Sequence, residues 1–351
     1  MTVWVVLAGL SALALALRLP GRLLAGLVAI WWAVVMLAHF LLPADTALLA
    51  GTGGWRGWLV LGVLALIGSG YRAGLSALRA RSRPEAAVKP SSFSETELDR
   101  YARHIVLREI GGPGQKRLKQ AKVLVIGAGG LGSPLLLYLA AAGVGTIGVV
   151  DDDTVSNSNL QRQVIHTDAR IGMPKVFSAE ESIKALNPFV AVRPYQRRLT
   201  AEDARELFAE YDLILDGTDN FATRYMVNAA AVAAGKPLIA AAIAQWEGQI
   251  SVYDPARGAP CFACVFPEPP ADGLAPACAV AGVVGALPGV VGAMMAVEAI
   301  KLITGAGAPL RGRMLIYDAL YAENRAITLK RRDDCAVCGQ VHALDRLGAA
   351  H

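Results

Sequence analysis

Lys122-Val-Leu-Val-Ile126-Gly127-Ala-Gly129-Gly130-Leu-Gly132 is a short β-rich apolar run that breaks into a glycine-rich turn. An apolar helical run continues from it to about Ala142, and residues 146–150 form a second apolar run that ends at Asp151. Strand, Gly-x-Gly-x-x-Gly turn, helix, strand and acid is the order of a nucleotide-binding unit. The glycines let the backbone approach a phosphate, and the helix N-terminus favours its charge. Asp151, 19 residues after Gly132, can bond a ribose hydroxyl. Taken alone the turn would favour a nicotinamide dehydrogenase, since it does not say which nucleotide binds. No Gly-x-x-x-x-Gly-Lys-Ser/Thr motif occurs, so no Walker-type ATPase is indicated.

The alternation continues downstream. The pattern predicts a helix around 175–186, a strand near 190–195, a helix from Ala201, a strand over 212–215, a helix over about 222–234 and a strand over 237–241. Alternating strands and helices imply an α/β fold, a Rossmann-like, doubly wound, mostly parallel sheet covered on both faces. After Gly248 the pattern turns antiparallel, with one apolar helix at about 290–303. Upstream, 95–110 has helical spacing, with Leu98, Tyr101 and Ile105 on one face, and Gly111-Gly112-Pro113-Gly114 is expected to end it.

Further out, the N-terminal part differs in kind. Apolar residues make up 54% of the 351, the mean hydropathy is +0.42, and the excess sits in the first 75 residues. Stretches 3–17, 23–42 (interrupted only by His39) and 57–71 (near Trp55 and Trp58) carry no acidic or basic residue. A span needs roughly 20 apolar residues, so the second is the strong candidate and the others are short. Arg18 and Arg22 lie between the first two, while Arg72, Arg79, Arg81, Arg83 and Lys89 follow the third. The connection between the second and third holds only Asp45 and Arg56, so both basic flanks are expected in the cytoplasm. A cleaved signal peptide fits less well, because a basic n-region is missing and two more apolar stretches follow. The expectation is two to three transmembrane helices over 1–78, a linker over 79–94 with Pro84 and Pro90, and a nucleotide-binding domain over 95–345. That domain would sit on the cytoplasmic side of an inner (cytoplasmic) membrane.

The net charge of +5 belongs to the same segment. Residues 1–90 hold eight Lys/Arg against two acids, and the remainder holds 26 against 27, which gives no sign of a nucleic-acid surface.

Beyond the turn, the chemistry-bearing residues are Ser158-Asn159-Leu160-Gln161-Arg162-Gln163, Lys175 and Thr218-Asp219-Asn220. Two cations and an amide near strand C-termini suit a triphosphate, and an Asp there suits Mg²⁺, which takes carboxylate and phosphate oxygens. Singly, Arg162 and Lys175 could be surface charges and Asp219 a helix N-cap. Cys261/Cys264 and Cys335/Cys338 form two Cys-x-x-Cys pairs with 70 residues between them. Four thiolates in this pattern match a closed, structural Zn²⁺ site, with a redox dithiol or unrelated core cysteines as the alternatives. Cys278 is the fifth cysteine, in a Gly/Ala/Pro-rich stretch. No His or paired-carboxylate catalytic motif is visible.

The run Arg100-Tyr-Ala-Arg103-His-Ile, the Gly-Ala-Gly-Gly-Leu-Gly-Ser turn, Ser-Asn-Leu-Gln-Arg-Gln and Asp216-Gly-Thr-Asp219-Asn220 resemble the MoeB/ThiF/HesA family, relatives of the ubiquitin-activating enzymes. So do Glu247-Gly-Gln249, both Cys pairs and Ala281-Gly-Val-Val-Gly285. The resemblance covers about 95–340, with the motifs in the family's order. It implies ATP-dependent adenylation of the C-terminal glycine of a ubiquitin-like sulfur carrier, of the molybdopterin-synthase or thiamine type. By motif, Gly127, Gly129, Gly130 and Gly132 would cradle the phosphates and Asp151 would hold the ribose. Asn159, Arg162 and Lys175 would contact the triphosphate, Asp219 would hold Mg²⁺, Asn220 beside it would belong to the nucleotide site, and the four cysteines would hold Zn²⁺. Arg103 resembles an arginine that reaches into the partner subunit's site, which implies a homodimer. Cys278 corresponds to a position where some members form a sulfur-linked adduct with the carrier. Ala263 departs from the arginine usual between the first two cysteines. No rhodanese-like extension follows residue 340, so a separate sulfur donor is expected. The hydrophobic N-terminus also departs from the family and leaves a membrane-held, non-catalytic scaffold as the alternative.

Overall fold

The computed structural model describes residues 21–43, 46, 49, 54–81, 93–270 and 282–339. The first apolar stretch, Arg18, Asp45, most of the linker and Cys278 lie outside them. The chain divides into two units, Met1–Pro90 and Ser91–His351.

In the first unit, helices α1 (Gly21–Leu41) and α2 (Trp55–Arg81) pack on each other. Val35 and Trp58 are buried between them, the Trp31 and Trp58 rings meet edge-on at 5.7 Å, and Trp32 Nε1 donates to the Trp58 carbonyl at 2.9 Å. The polar side chains turn back on their own helices. His39 Nδ1 bonds the Val35 carbonyl at 2.8 Å and Ser69 Oγ the Ala65 carbonyl at 2.7 Å, so each finds a partner within its own helix. This accounts for His39 as a residue tolerated in an apolar helix. The third apolar stretch is longer as a helix than its uncharged core suggests, because α2 runs on through Arg72.

The second unit opens with α3 (Glu95–Arg100), α4 (Ala102–Ile105) and α5 (Gly111–Gln120). Ser94 and Glu97 form a reciprocal capping box at the start of α3. The single helix expected over 95–110 breaks at Tyr101, which is buried against Asn187. Gly111–Gly114 starts a helix rather than ending one. Proline is tolerated in a first turn, where its missing N–H would have had no partner.

Next come β1 (Lys122–Ile126), α6 (Gly132–Ala142), β2 (Thr146–Val150), α7 (Lys175–Leu186), β3 (Ala191–Tyr195), α8 (Ala201–Ala209), β4 (Leu213–Asp216), α9 (Phe221–Ala233) and β5 (Leu238–Ala244). β6 (Glu247–Tyr253), α10 (Phe262–Val265), α11 (Leu287–Thr304), β7 (Arg313–Asp318) and β8 (Glu323–Thr328) complete the described elements. The strands form one sheet in the order β3-β2-β1-β4-β5-β6-β7-β8, parallel from β3 to β5 and antiparallel from β5 to β8. This is the mixed α/β architecture expected from the sequence.

Alternate residues of the central strands face opposite sides, which is why these runs are apolar throughout. Val123, Val125, Ile147, Val149, Leu213 and Leu215 pack with α6, α7 and α11. Leu124, Ile126, Ile214 and Tyr253 pack with α8 and α9. The strand order reverses between β1 and β4, so a crevice opens at their C-terminal ends, where a parallel sheet binds ligands.

Candidate functional site

The glycine turn lies in that crevice. Gly127 has φ +94°, a left-handed conformation that few side chains adopt. A methyl group at Gly132 would overlap the Gly127 carbonyl oxygen, so the turn closes on itself only with glycine there. The turn abuts the segment after β4, since a Cβ at Gly127 would sit 3.1 Å from the Gly217 carbonyl oxygen. Pro288, at the start of α11, lies over Gly130. The Ala281–Gly285 motif owes its last glycine to close approach as well, because any side chain at Gly285 would strike Gln161.

Asp151 follows β2. Its Oδ2 accepts the Ala128 N–H at 2.7 Å and its Oδ1 accepts the Asp153 N–H at 2.9 Å, so it holds the glycine turn. Arg162 and Asn159 are brought together, with Arg162 donating to Asn159 Oδ1 at 3.1 Å and to the Ser158 carbonyl at 3.2 Å. Lys175 begins α7. Its side chain is only 5% exposed, and its Nζ pairs at 2.8 Å with Asp153 Oδ2, whose side chain is 67% exposed. It is therefore not a surface charge, and Asp153, which the motif reading passed over, is its partner.

At the end of β4, Asp216 is buried. Its Oδ1 accepts the Thr218 N–H at 2.9 Å and the Thr218 hydroxyl at 2.6 Å, while its Oδ2 has no partner among the described residues. Arg224, buried on α9, donates to the Thr218 carbonyl. These contacts shape the turn that presents Asp219, which is exposed and without a hydrogen bond or ion pair among the described residues. The helix cap is Asn220, whose Oδ1 accepts the Thr223 N–H at 2.8 Å, so the N-cap alternative for Asp219 falls away. Capping engages the Asn220 amide oxygen and leaves its NH₂ for a ligand. Arg103 is exposed on α4, also without an ion pair among the described residues.

His166 was not singled out by the sequence reading. It is buried, with Nε2 2.9 Å from the Ala128 carbonyl oxygen and Nδ1 2.9 Å from Ser178 Oγ. Burial, followed by the nearby Lys175 and Arg170 charges, holds its pKa below the ordinary value against the Ala128 carbonyl and Asp151. Its position three residues after the Gln161-Arg162-Gln163 run was the available signal, but a lone His carries no motif.

The two Cys-x-x-Cys pairs, far apart in sequence, meet in the fold. Cys261 Sγ lies 3.8 Å from Cys264 Sγ and 3.6 Å from Cys335 Sγ, and Cys264 Sγ lies 3.4 Å from Cys338 Sγ. These distances are too long for disulfides. Four sulfurs about 2.3 Å from a tetrahedral Zn²⁺ would stand about 3.8 Å apart, close to the separations found. All four cysteines are buried, and burial pushes the Cys261 thiol up to about 12 and raises Cys338 as well. Against its burial, the backbone N–H groups of Cys338 and Val337 hold Cys335 down to about 7, so the set already leans toward a thiolate, and four buried sulfurs at these separations fit a divalent metal. Cys261 immediately precedes α10, which α9 supports through the Tyr225 hydroxyl bond to the Phe266 carbonyl at 2.9 Å.

Comparison with known proteins agrees with this geometry. A model of the ThiF family matches residues 101–337. The chain is 51% identical over 251 residues to a sulfur carrier protein adenylyltransferase of Thermus thermophilus, covering 70% of this chain and 93% of that one. It is 54% identical over 253 residues to the "probable adenylyltransferase/sulfurtransferase MoeZ" of Mycobacterium tuberculosis, covering 71% of this chain but only 64% of that protein's length. A SAMP-activating enzyme E1 of Haloferax volcanii is 46% identical, over 71% and 92% of the two chains. Among solved structures, Escherichia coli MccB superposes with a TM-score of 0.61 at 23% identity, covering 68% of this chain and 75% of that one, a likeness of fold. With the family match spanning most of its length, the chain belongs to the ThiF family.

Proposed function

We propose that the Ser91–His351 unit is an adenylyltransferase that uses ATP to activate the C-terminal glycine of a ubiquitin-like sulfur carrier. The observation that carries the reading is a buried Lys175 beside the glycine turn and an exposed Asp219 at the same crevice. They occur in a chain 51% identical to a protein named for this activity.

The reaction is an attack by the carrier's terminal carboxylate oxygen on the α-phosphorus of ATP. A C–O–P bond forms, the bond from the α-phosphorus to the bridging oxygen breaks, and pyrophosphate leaves with that electron pair. The carboxylate is already ionised at neutral pH, so no general base is required. The site positions the reactants and neutralises charge. The Gly127–Gly132 turn offers backbone N–H groups to the phosphates, Asp151 faces the ribose, and Arg162 with Asn159 and Lys175 meets the triphosphate. Lys175 would exchange Asp153 for phosphate as its partner. Asp219 offers a free carboxylate to Mg²⁺, which would neutralise the phosphate oxygens when bound. Zn²⁺ on the four cysteines would be structural, because four thiolates leave no open position.

The reading extends to a homodimer, with Arg103 entering the partner subunit's site, and to an inner-membrane anchor formed by α1 and α2 with the adenylylating unit in the cytoplasm. Cys278 would be the site of a covalent adduct with the carrier. Exchange of radiolabelled pyrophosphate into ATP tests the central claim, using carriers that end in Gly-Gly and the same carriers without the last glycine. Exchange that needs the terminal glycine is the expected result. No exchange with any carrier, by protein that is folded and metal-loaded, would overturn the proposal.

A further inference from the structure

Ala128, between the first two glycines of the turn, is held on both sides. Its N–H donates to Asp151 Oδ2 and its carbonyl oxygen accepts from His166 Nε2. A carbonyl only accepts, so Nε2 carries the ring proton, and in the neutral ring Nδ1 accepts from the Ser178 hydroxyl. Ser178 stands three residues after Lys175 on α7. Each peptide group is planar and trans, so fixing the Ala128 carbonyl also fixes the Gly129 N–H, which points the opposite way. That N–H has no hydrogen-bond partner among the described residues.

We propose that His166 is a positioning residue for nucleotide binding. By holding the Ala128 carbonyl it aims the Gly129 N–H into the crevice, and through Ser178 it sets the turn against the helix that carries Lys175. The inference rests on the reading of the turn as the ATP phosphate site. It predicts an effect confined to the nucleotide, because His166 is buried and its hydrogen bonds run to the turn and to α7.

The test compares His166→Leu, which removes both ring bonds, with His166→Gln, whose amide nitrogen can reach the Nε2 position, and with Ser178→Ala. Pyrophosphate exchange gives kcat and a KM for each substrate, titration calorimetry gives ATP affinity, and thermal melting checks the fold. In His166→Leu the KM and Kd for ATP are expected to rise roughly tenfold, the loss of one buried hydrogen bond, with the carrier's KM unchanged. His166→Gln should recover ATP binding to within about threefold of the parent, and Ser178→Ala should fall between the two. If His166→Leu does not fold, recovery in His166→Gln and the ATP-specific defect of Ser178→Ala carry the test. ATP binding unchanged in folded His166→Leu would overturn the inference, as would a His166→Gln variant as defective as the leucine or a carrier KM that rises in parallel. A parent protein that neither binds ATP nor supports exchange would instead overturn the reading of the site, so the two failures are separable.

Discussion

Replacing Lys175 by Met separates catalytic from structural roles at this site. The side chain is 5% exposed and its ammonium lies 2.8 Å from Asp153, so a first expectation would be severe destabilisation. Removing one partner of a fully buried ion pair costs about 3–5 kcal/mol, because the other charge is left in the protein interior. Asp153, however, is 67% exposed and regains water when the ammonium is removed. A pair with such an accessible partner contributes about 1 kcal/mol or less. Methionine fills much of the lysine stem's volume without a charge that must be kept out of water, which offsets part of that. The net stability change should therefore stay within about 1 kcal/mol, a shift of roughly 2–4 °C in Tm for a unit of this size. Catalysis should respond on another scale. A fixed donor aimed at charge developing in the transition state is worth about 3–4 kcal/mol, a factor of about 10²–10³ in rate. Pyrophosphate exchange at saturating ATP, measured beside a thermal melt, reads both quantities. Exchange within about fivefold of the parent would refute the assignment of Lys175 to the phosphates, as would a rate loss matched by a fall in folded protein.

Three further outcomes are expected. Asp219→Asn alters an exposed side chain with no internal partner among the described residues, so stability should change by less than about 0.5 kcal/mol while Mg²⁺-dependent exchange falls at least about a hundredfold; a melt and a magnesium titration check this. Cys264→Ser should release the metal, measured by plasma emission at one zinc per parent chain, and lower Tm by roughly 6–12 °C through the loss of about 3 kcal/mol. Acid should weaken the fold through His166, whose pKa is lowered in the native state. The unfolded chain takes up the proton first, so this contribution is intact above about pH 6.5 and is lost as pH falls from there towards the depressed native value; urea midpoints measured across that range should slope less in His166→Gln.

The parts legible in the sequence were those set by local rules. Strands such as Lys122–Ile126 announce themselves through apolar runs closed by glycine, and α7 starts where Pro174 precedes its first residue. The mixed sheet follows from alternation that stops after β5. What the sequence hid was decided by tertiary contact. Helical spacing continues through Tyr101, yet the chain turns there to bury the ring beside Asn187. Asp151 reads as a ribose ligand by its place after β2, but its bond to the Ala128 N–H appears only once β1 and β2 lie side by side. Asp153 and His166 belong to no motif. Asp153 matters through Lys175, 22 residues away, and His166 through Ala128 and Ser178, 38 and 12 residues away.

The same distinction governs the N-terminal helices, where composition is an incomplete guide. The window Trp55–Leu75 of α2 and the whole of α11 have equal mean hydropathy, and both are long enough to cross a membrane. They differ in where their side chains go. Half of α11 is buried, because Val291, Met295 and Ala299 enter the core beneath β5 and β6, so its hydropathy is accounted for by the fold. Only 11% of the α2 window is buried, and Leu61, Leu64, Leu66 and Ile67 all face outward. On α1, Val34, Leu37 and Phe40 do the same. Two helices that bury Val35 and a tryptophan between them while leaving most of their large apolar side chains outside reverse the pattern of a water-soluble hairpin. Such a surface needs a cover that the described residues of the first unit do not supply. Lipid would be such a cover: α2 is long enough to cross a membrane and His39 and Ser69 turn their bonds inward, and that is the ground on which the membrane anchor is proposed.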